Sequence, residues 1–274
     1  MNPAVDRYTR FDISKDAVVW HYTSRETLEH FIKPGAHLYA THYKCLNDKV
    51  EREYGLREYE RIVSKNKYPM SITDYLSKYE AFVFSFSGLR DDLSQWRAYT
   101  PSIGGIAIGF WDYMIFDQNS EIFTQRSVEL ARALTKNSAA QSGDICFYER
   151  CFYGPRLVQE RLKNGFPNGG YVTENDYIHQ GAFFTVHFCK HPCFKSEKEK
   201  RIALITQNVE NRIEIIAGKP RIKTPFHDFG GMIAEIMISP HGDQEMNYEF
   251  VRLLLKNYNI DCKVSCSKLP FRGS

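Results

Sequence analysis

No stretch of this chain approaches the run of about 20 apolar residues that a membrane-crossing helix needs, so no membrane partner is expected. No Walker A loop and no GxGxxG run occurs, which leaves P-loop and Rossmann nucleotide binding without support. The GxSxG turn of the α/β-hydrolases is missing as well. Cysteines are odd in number, 7, and no two have CxxC spacing, so free thiols are expected in place of a disulfide framework. Neither charge dominates: 36 Lys and Arg face 33 Asp and Glu, a net +3. A bulk nucleic-acid binder concentrates a basic excess, so nucleic acid is not favoured as a partner. Met1 to Trp20 mix charge and polarity and lack the apolar core of a secretory signal, which predicts a soluble, cytoplasmic protein.

What is present is an ordinary globular composition. Hydrophobic residues make up 43% and the length is 274, enough to bury a sizeable core. Aromatics reach 14%, with 19 Phe and 17 Tyr, and so many rings must line clefts as well as fill the interior. There is no internal repeat. The apolar runs Val18–Tyr22, His37–Thr41, Ala81–Ser87, Gly105–Phe110, Ile145–Tyr153, Arg201–Thr206, Ile213–Ala217, Met232–Ser239 and Cys262–Cys266 predict strands. Helices are expected after a capping box at Thr23–Glu26, after an Asp48 cap, around Asp91–Tyr99, from Arg126 to Asn137, from Tyr177 to Lys190, and from Tyr248 to Tyr258. Strands and helices do not alternate strictly. The expected fold is therefore α+β, a single domain over 1–274 around a mixed, mostly antiparallel sheet, with 111–180 as an elaboration within it.

Three clusters carry polar chemistry. His21-Tyr22-Thr23 ends a strand, where an imidazole and a hydroxyl suit hydrogen bonds to a ribose or an amide; the alternative is a structural His and a capping Thr. Ser85 and Ser87 share one strand face. After them, Trp96, Arg97 and Tyr99 supply rings and a guanidinium that suit ring stacking and phosphate pairing, against the alternative of core packing and a surface ion pair. In Phe194–Arg201 a strand would aim Glu197, Glu199 and Arg201 the same way, so that carboxylates beside a cation stabilise a developing positive charge; a solvated edge is the alternative. His187, Cys189, His191 and Cys193 alternate, but the helical pattern before them separates their side chains, so no metal is expected.

Trp20–Ser24, Leu46–Asp48, Phe84–Ser87, Leu93–Tyr99, Phe194–Arg201, Ile238–Pro240 and Ser267–Arg272 follow one another in an order that resembles the bacterial family called domain of unknown function 2971, over about residues 18 to 272. That resemblance implies an anti-phage or toxin-type defence role. The layout is also similar to ADP-ribosyltransferases, in which a His or Arg on the first strand, a Ser-x-Ser strand and a Glu-x-Glu near a later strand surround NAD. The resemblance implies a transferase-like fold. It further implies His21, Glu197 and Glu199 in catalysis, with Ser85 and Ser87 around NAD as substrate; the polar and aromatic clusters themselves add Thr23, Asn47, Trp96, Arg97, Tyr99 and Arg201 as further candidates around the same NAD. Trp96, Tyr99, Asn47 and Asp48 stand outside the general transferase pattern.

Two functions follow as expectations. The first is NAD-dependent ADP-ribosyl transfer or NAD hydrolysis, with Glu199 stabilising the oxocarbenium-like state, so that Glu199→Gln abolishes activity and leaves the fold intact. The second is a non-enzymatic sensor or partner-binding module of a defence system. A nuclease reading on Asp48, Glu51 and Glu53 is weaker, because these carboxylates suit a helix start.

Overall fold

A computed structural model of the chain describes residues 17–46, 51–66, 79–115, 145–157, 160 and 185–270. Its strands are β1 (Val18–Thr23), β2 (His37–His42), β3 (Glu80–Phe86), β4 (Ile106–Trp111), β5 (Ile145–Arg150), β6 (Phe152–Tyr153), β7 (Cys189–Lys190), β8 (Lys200–Thr206), β9 (Ile213–Ile216), β10 (Lys219–His227), β11 (Ile233–Ile238) and β12 (Lys263–Cys266). The helices are α1 (Glu29–Ile32), α2 (Glu51–Asn66), α3 (Leu93–Tyr99) and α4 (Gln244–Asn257). The class is α+β and the sheets are mainly antiparallel. One sheet has the order β1-β4-β11-β12, a second β5-β8-β3-β2-β10-β9, and β6 pairs with β7. Only the pairs β11–β12 and β6–β7 run parallel among the described strands.

The two larger sheets meet where β3 runs on into Ser87. Ser87 exchanges both backbone hydrogen bonds with Trp20 of β1, at 2.8 and 2.7 Å. β3 therefore pairs with β2 at Thr41 and His42, parts from it after Val83, and is joined to β1 four residues later at Ser87. This fork curls the strands, and both sheets close on a shared core. Phe82, Phe84 and Phe86 of β3 enter it from one side, Ile106, Ile108 and Phe110 of β4 from the other. Burying a side chain of this size contributes about 1.5–3 kcal/mol, and alternation along β3 turns Ser85 away from that core. The outer face of β1 builds a second cluster, in which Trp20 and Tyr22 pack with Trp96, Ala107 and Met237. Gly109 lies opposite Trp20, and a Cβ there would stand 2.9 Å from the indole ring.

Several sequence expectations change. Thr23–Glu26 forms no capping box: Ser24 precedes a 3-10 turn over Arg25–Thr27, and the Thr23 hydroxyl shares a hydrogen bond with the Thr27 hydroxyl at 2.8 Å. Val186–Phe188 is a 3-10 turn that leads into β7 in place of a helix end, because Lys190 is drawn beside Tyr153 and toward two carboxylates. The rest of that expected helix, the Asp48 cap and the helix at 126–137 lie outside the described residues. β5, within the stretch read as an elaboration, is the edge strand on β8. α4 starts earlier than its apolar pattern indicated, since Asp243 caps it by accepting from Met246 N at 2.9 Å.

β10 is not among the strands expected from the sequence; it carries Pro220 and Pro225, residues that sheets seldom accept. Pro225 falls in the register shift between Lys223 and His227, where a missing N–H removes no ladder bond. Ala217 and Gly218, at φ 51° and 72°, make the tight turn from β9.

Candidate functional site

The seam between β3 and β8 gathers most of the residues that the sequence singled out. Ser85 stands directly opposite Arg201. The Ser87 hydroxyl donates to the Glu197 carbonyl at 2.9 Å and accepts from Leu89 N at 3.2 Å. In the fork, the His21 ring stacks on Phe84 at 4.3 Å, and its Nδ1 lies 3.0 Å from the Ser85 carbonyl oxygen. A carbonyl only accepts, so Nδ1 carries the proton and Nε2 is the bare nitrogen. Burial pushes His21 down from 6.5 to about 4; the bond to Ser85 opposes that and the charge of Arg221 adds to it. The ring is neutral at pH 7.

Glu199 and Arg201 lie two residues apart, and both are buried. Arg201 Nε donates to Glu199 Oε1 at 2.7 Å, and Nη2 donates to Oε2 at 3.0 Å. Lys190 Nζ reaches the same Oε2 at 2.6 Å and Glu197 at 2.6 Å, while its charge sits 4.8 Å above the Phe194 ring. Arg201 also donates to the His187 carbonyl at 3.1 Å, and the Tyr153 hydroxyl accepts from Glu199 N at 2.8 Å. Burial alone would raise the Glu199 pKa, but the two cations overcome it and hold the carboxyl at about 2. The charges of Arg201 and Lys190 keep Glu199 ionised. The same contacts occupy both carboxylate oxygens and leave the side chain 6% exposed. The Glu197 side chain is more open at 21%.

Trp96, Arg97 and Tyr99 do not join this seam. Asp92 caps α3 by accepting from Ser94 N at 2.9 Å and Gln95 N at 3.1 Å. The helix turns Trp96 fully inward, edge-on to Tyr22 at 4.7 Å, with its indole N–H donated to Asp91 at 2.8 Å. Tyr99 is 41% exposed and Arg97 is exposed. In this arrangement Trp96 is a core residue that no ligand ring can stack on. Thr23 is engaged with Thr27, and Asn47 lies outside the described residues. Glu53, one of the nuclease candidates, pairs with Arg57 at 3.5 Å. Among the described residues no three His, Cys, Asp or Glu side chains group as metal ligands.

A cleft that the sequence did not disclose lies beside β12. Asp91 accepts from the Ser267 hydroxyl at 2.8 Å as well as from Trp96. The Tyr22 hydroxyl donates to the Leu89 carbonyl at 2.8 Å, and Leu269 packs on the Trp20–Tyr22–Trp96 cluster. Arg90 grips Glu235 through two bonds, at 3.1 and 2.6 Å, and lies 5.8 Å over the Trp20 ring. Ser265 at 2.5 Å and Lys263 at 3.4 Å hold the same carboxylate. Burial works to raise Glu235, yet these partners keep it below the usual carboxylate range. Over this floor opens a cavity of about 350 Å³, walled by Arg90, Asp91, Met237, Lys263, Ser265, Cys266 and Lys268. None of its walls belongs to the Glu199 network. The available signal was that Lys268 falls inside the Ser267–Arg272 stretch and Arg90 lies between Phe84–Ser87 and Leu93–Tyr99; Glu235, inside an apolar strand, gave none.

Neither a curated protein nor a solved structure matches the chain. The stretch from residue 95 to residue 202, which runs from α3 through Glu199 and Arg201, matches the family model described as protein of unknown function (DUF2971).

Proposed function

We propose that this protein is a recognition module that binds an acidic segment of a partner protein in the cleft beside β12. The observation that carries this reading is the convergence on one hollow of three stretches far apart in sequence, Arg90–Asp91, Met237 and Lys263–Lys268, beside the packed Trp20, Tyr22 and Trp96. Arg90, Lys263 and Lys268 outnumber Asp91 and Glu235 there, and a surplus of positive charge with an apolar floor at Met237 suits a carboxylate-rich peptide. The test is fluorescence anisotropy with a labelled oligoglutamate peptide that carries one Leu. Binding weakened by salt, and lost in the double variant Lys263→Glu/Lys268→Glu, supports the module. Binding that the double variant leaves unchanged removes it.

NAD chemistry at the β3–β8 seam is the second reading. It is favoured by one observation, the approach of His21, Ser85 and Arg201 along adjacent strands. The occupied oxygens of Glu199 count against that residue as the group facing the oxocarbenium ion. Incubation with NAD, in the presence and absence of cell extract, separates the readings. Nicotinamide release favours the transferase, whereas no release and no NAD binding by calorimetry leaves the recognition module.

A further inference from the structure

Arg221 differs from the other guanidiniums of the seam and the cleft. Arg201 and Arg90 each grip a carboxylate. Arg221 is half-buried, and among the described residues its Nε has no acceptor although the atom is closed off from water. Glu214 stands opposite it on β9 but is bonded to the Tyr39 hydroxyl. An N–H taken out of water without an acceptor is destabilising, so this atom points to a missing negative partner.

The register shows what surrounds it. Arg221 of β10 is directly opposite Thr41 of β2, and Thr41 is opposite Val83 of β3. Ser85, two residues on, therefore shares the face of Thr41 and Arg221. Neither the Thr41 nor the Ser85 hydroxyl is engaged by a hydrogen bond among the described residues. Strands lie about 4.8 Å apart and residues about 3.4 Å along them, so Ser85 is two strands over and two residues along from Arg221, a diagonal that the long Arg221 side chain can span to share one small anion with the two hydroxyls. Thr41, Ser85 and Arg221 are each partly exposed, so solvent reaches all three positions. His21, which closes the fork, is neutral and does not offset the charge of Arg221.

We infer that Arg221, Thr41 and Ser85 form a binding site for a small oxyanion, a phosphate group. A planar carboxylate would be satisfied by the guanidinium fork alone, whereas hydroxyls on two further strands supply the out-of-plane donors of a tetrahedral anion. This inference rests on neither reading of function above.

The probe is inorganic phosphate, with AMP in parallel, against chloride at equal ionic strength; thermal unfolding and calorimetry are the readouts. Phosphate should raise the melting temperature of the unmodified protein by mass action. Arg221→Met should lose that rise and bind phosphate about 10- to 100-fold more weakly, yet be at least as stable in chloride, an outcome a purely structural Arg would not give. Ser85→Ala, which keeps the charge, should weaken phosphate about 5- to 10-fold and serves if the Arg221 variant fails to fold. Tighter binding of AMP than of phosphate assigns the group to a nucleotide, and the reverse order assigns it to free phosphate; both support the site. No phosphate effect on the unmodified protein, or an effect that persists undiminished in both Ser85→Ala and Arg221→Met, overturns it.

Discussion

Glu199 and Arg201 form a two-point ion pair across two residues, at 2.7 and 3.0 Å, and Lys190 closes the remaining side of Glu199 at 2.6 Å. With Glu197 the group holds two carboxylates and two cations, so charge is balanced inside a largely buried cluster. Such a cluster is worth little net stability against an apolar replacement, but loss of one member leaves its partners uncompensated. The arrangement joins β7, β8 and the 3-10 turn at Pro192–Glu197.

Glu199→Gln should therefore destabilise the fold by about 3–5 kcal/mol, measured by urea unfolding at pH 7. This replaces the sequence-based expectation of an intact fold. Because Glu199 titrates at about 2 in place of 4.5, its contribution is complete above pH 4.5 and is lost as pH falls from about 4.5 through about 2, a change of about 3 kcal/mol. A variant as stable as the parent at pH 7 would remove the argument.

Trp96→Ala should lower stability by about 3–5 kcal/mol, since a fully buried indole and its bond to Asp91 both disappear. Tyr99→Ala and Arg97→Ala should stay within about 0.5 kcal/mol. Equal effects at Trp96 and Tyr99 would mean that the helix does not turn as described.

The contrast between these neighbours marks what a sequence conveys. Periodicity places Trp96 and Tyr99 on nearby helix positions, but which of them meets β1 depends on where α3 docks, and that is set by Tyr22 and Met237, far away in the chain. The strands around Phe84 and Arg201 were legible because apolar alternation is a local property, and so was the facing of Ser85, Glu199 and Arg201. β10 was hidden by two prolines, of which Pro225 falls in a bulge and Pro220 at the start of the strand beside β9. The Arg90–Glu235 pair spans 145 residues, and Arg221 meets Thr41 only through strand register; neither leaves a local mark.

Native thiol labelling should find one fast cysteine. Cys193 is exposed, with its sulfur 3.0 Å from His191 Nδ1. Cys189 is buried, donates to the Thr185 carbonyl, and is pushed up by burial; Cys262 is pushed up to about 11, again chiefly by burial. Mass spectrometry after brief iodoacetamide treatment should place the label on Cys193, and Cys193→Ser should abolish the fast phase. Label spread evenly over several cysteines would contradict the packing around Cys189 and Cys262.

His21 sets a second pH window, distinct from that of Glu199. Its ring is a base whose charged form is disfavoured in the folded state, first by burial and then by the charge of Arg221, while the bond to Ser85 works the other way. The unfolded chain takes up a proton near 6.5, the folded protein only near 4. Between these values the unfolded state binds more protons, so stability rises with pH there. The contribution is complete above pH 6.5 and lost as pH falls to about 4, up to about 3 kcal/mol. Glu199 acts only below about 4.5, so the two losses on acidification should come in sequence, His21 first. An NMR titration of the His21 ring should give a midpoint near 4, rising in Arg221→Met because one of the charges that oppose protonation is gone. A midpoint near 6.5 would show that the ring is solvated and that the fork is not closed as described.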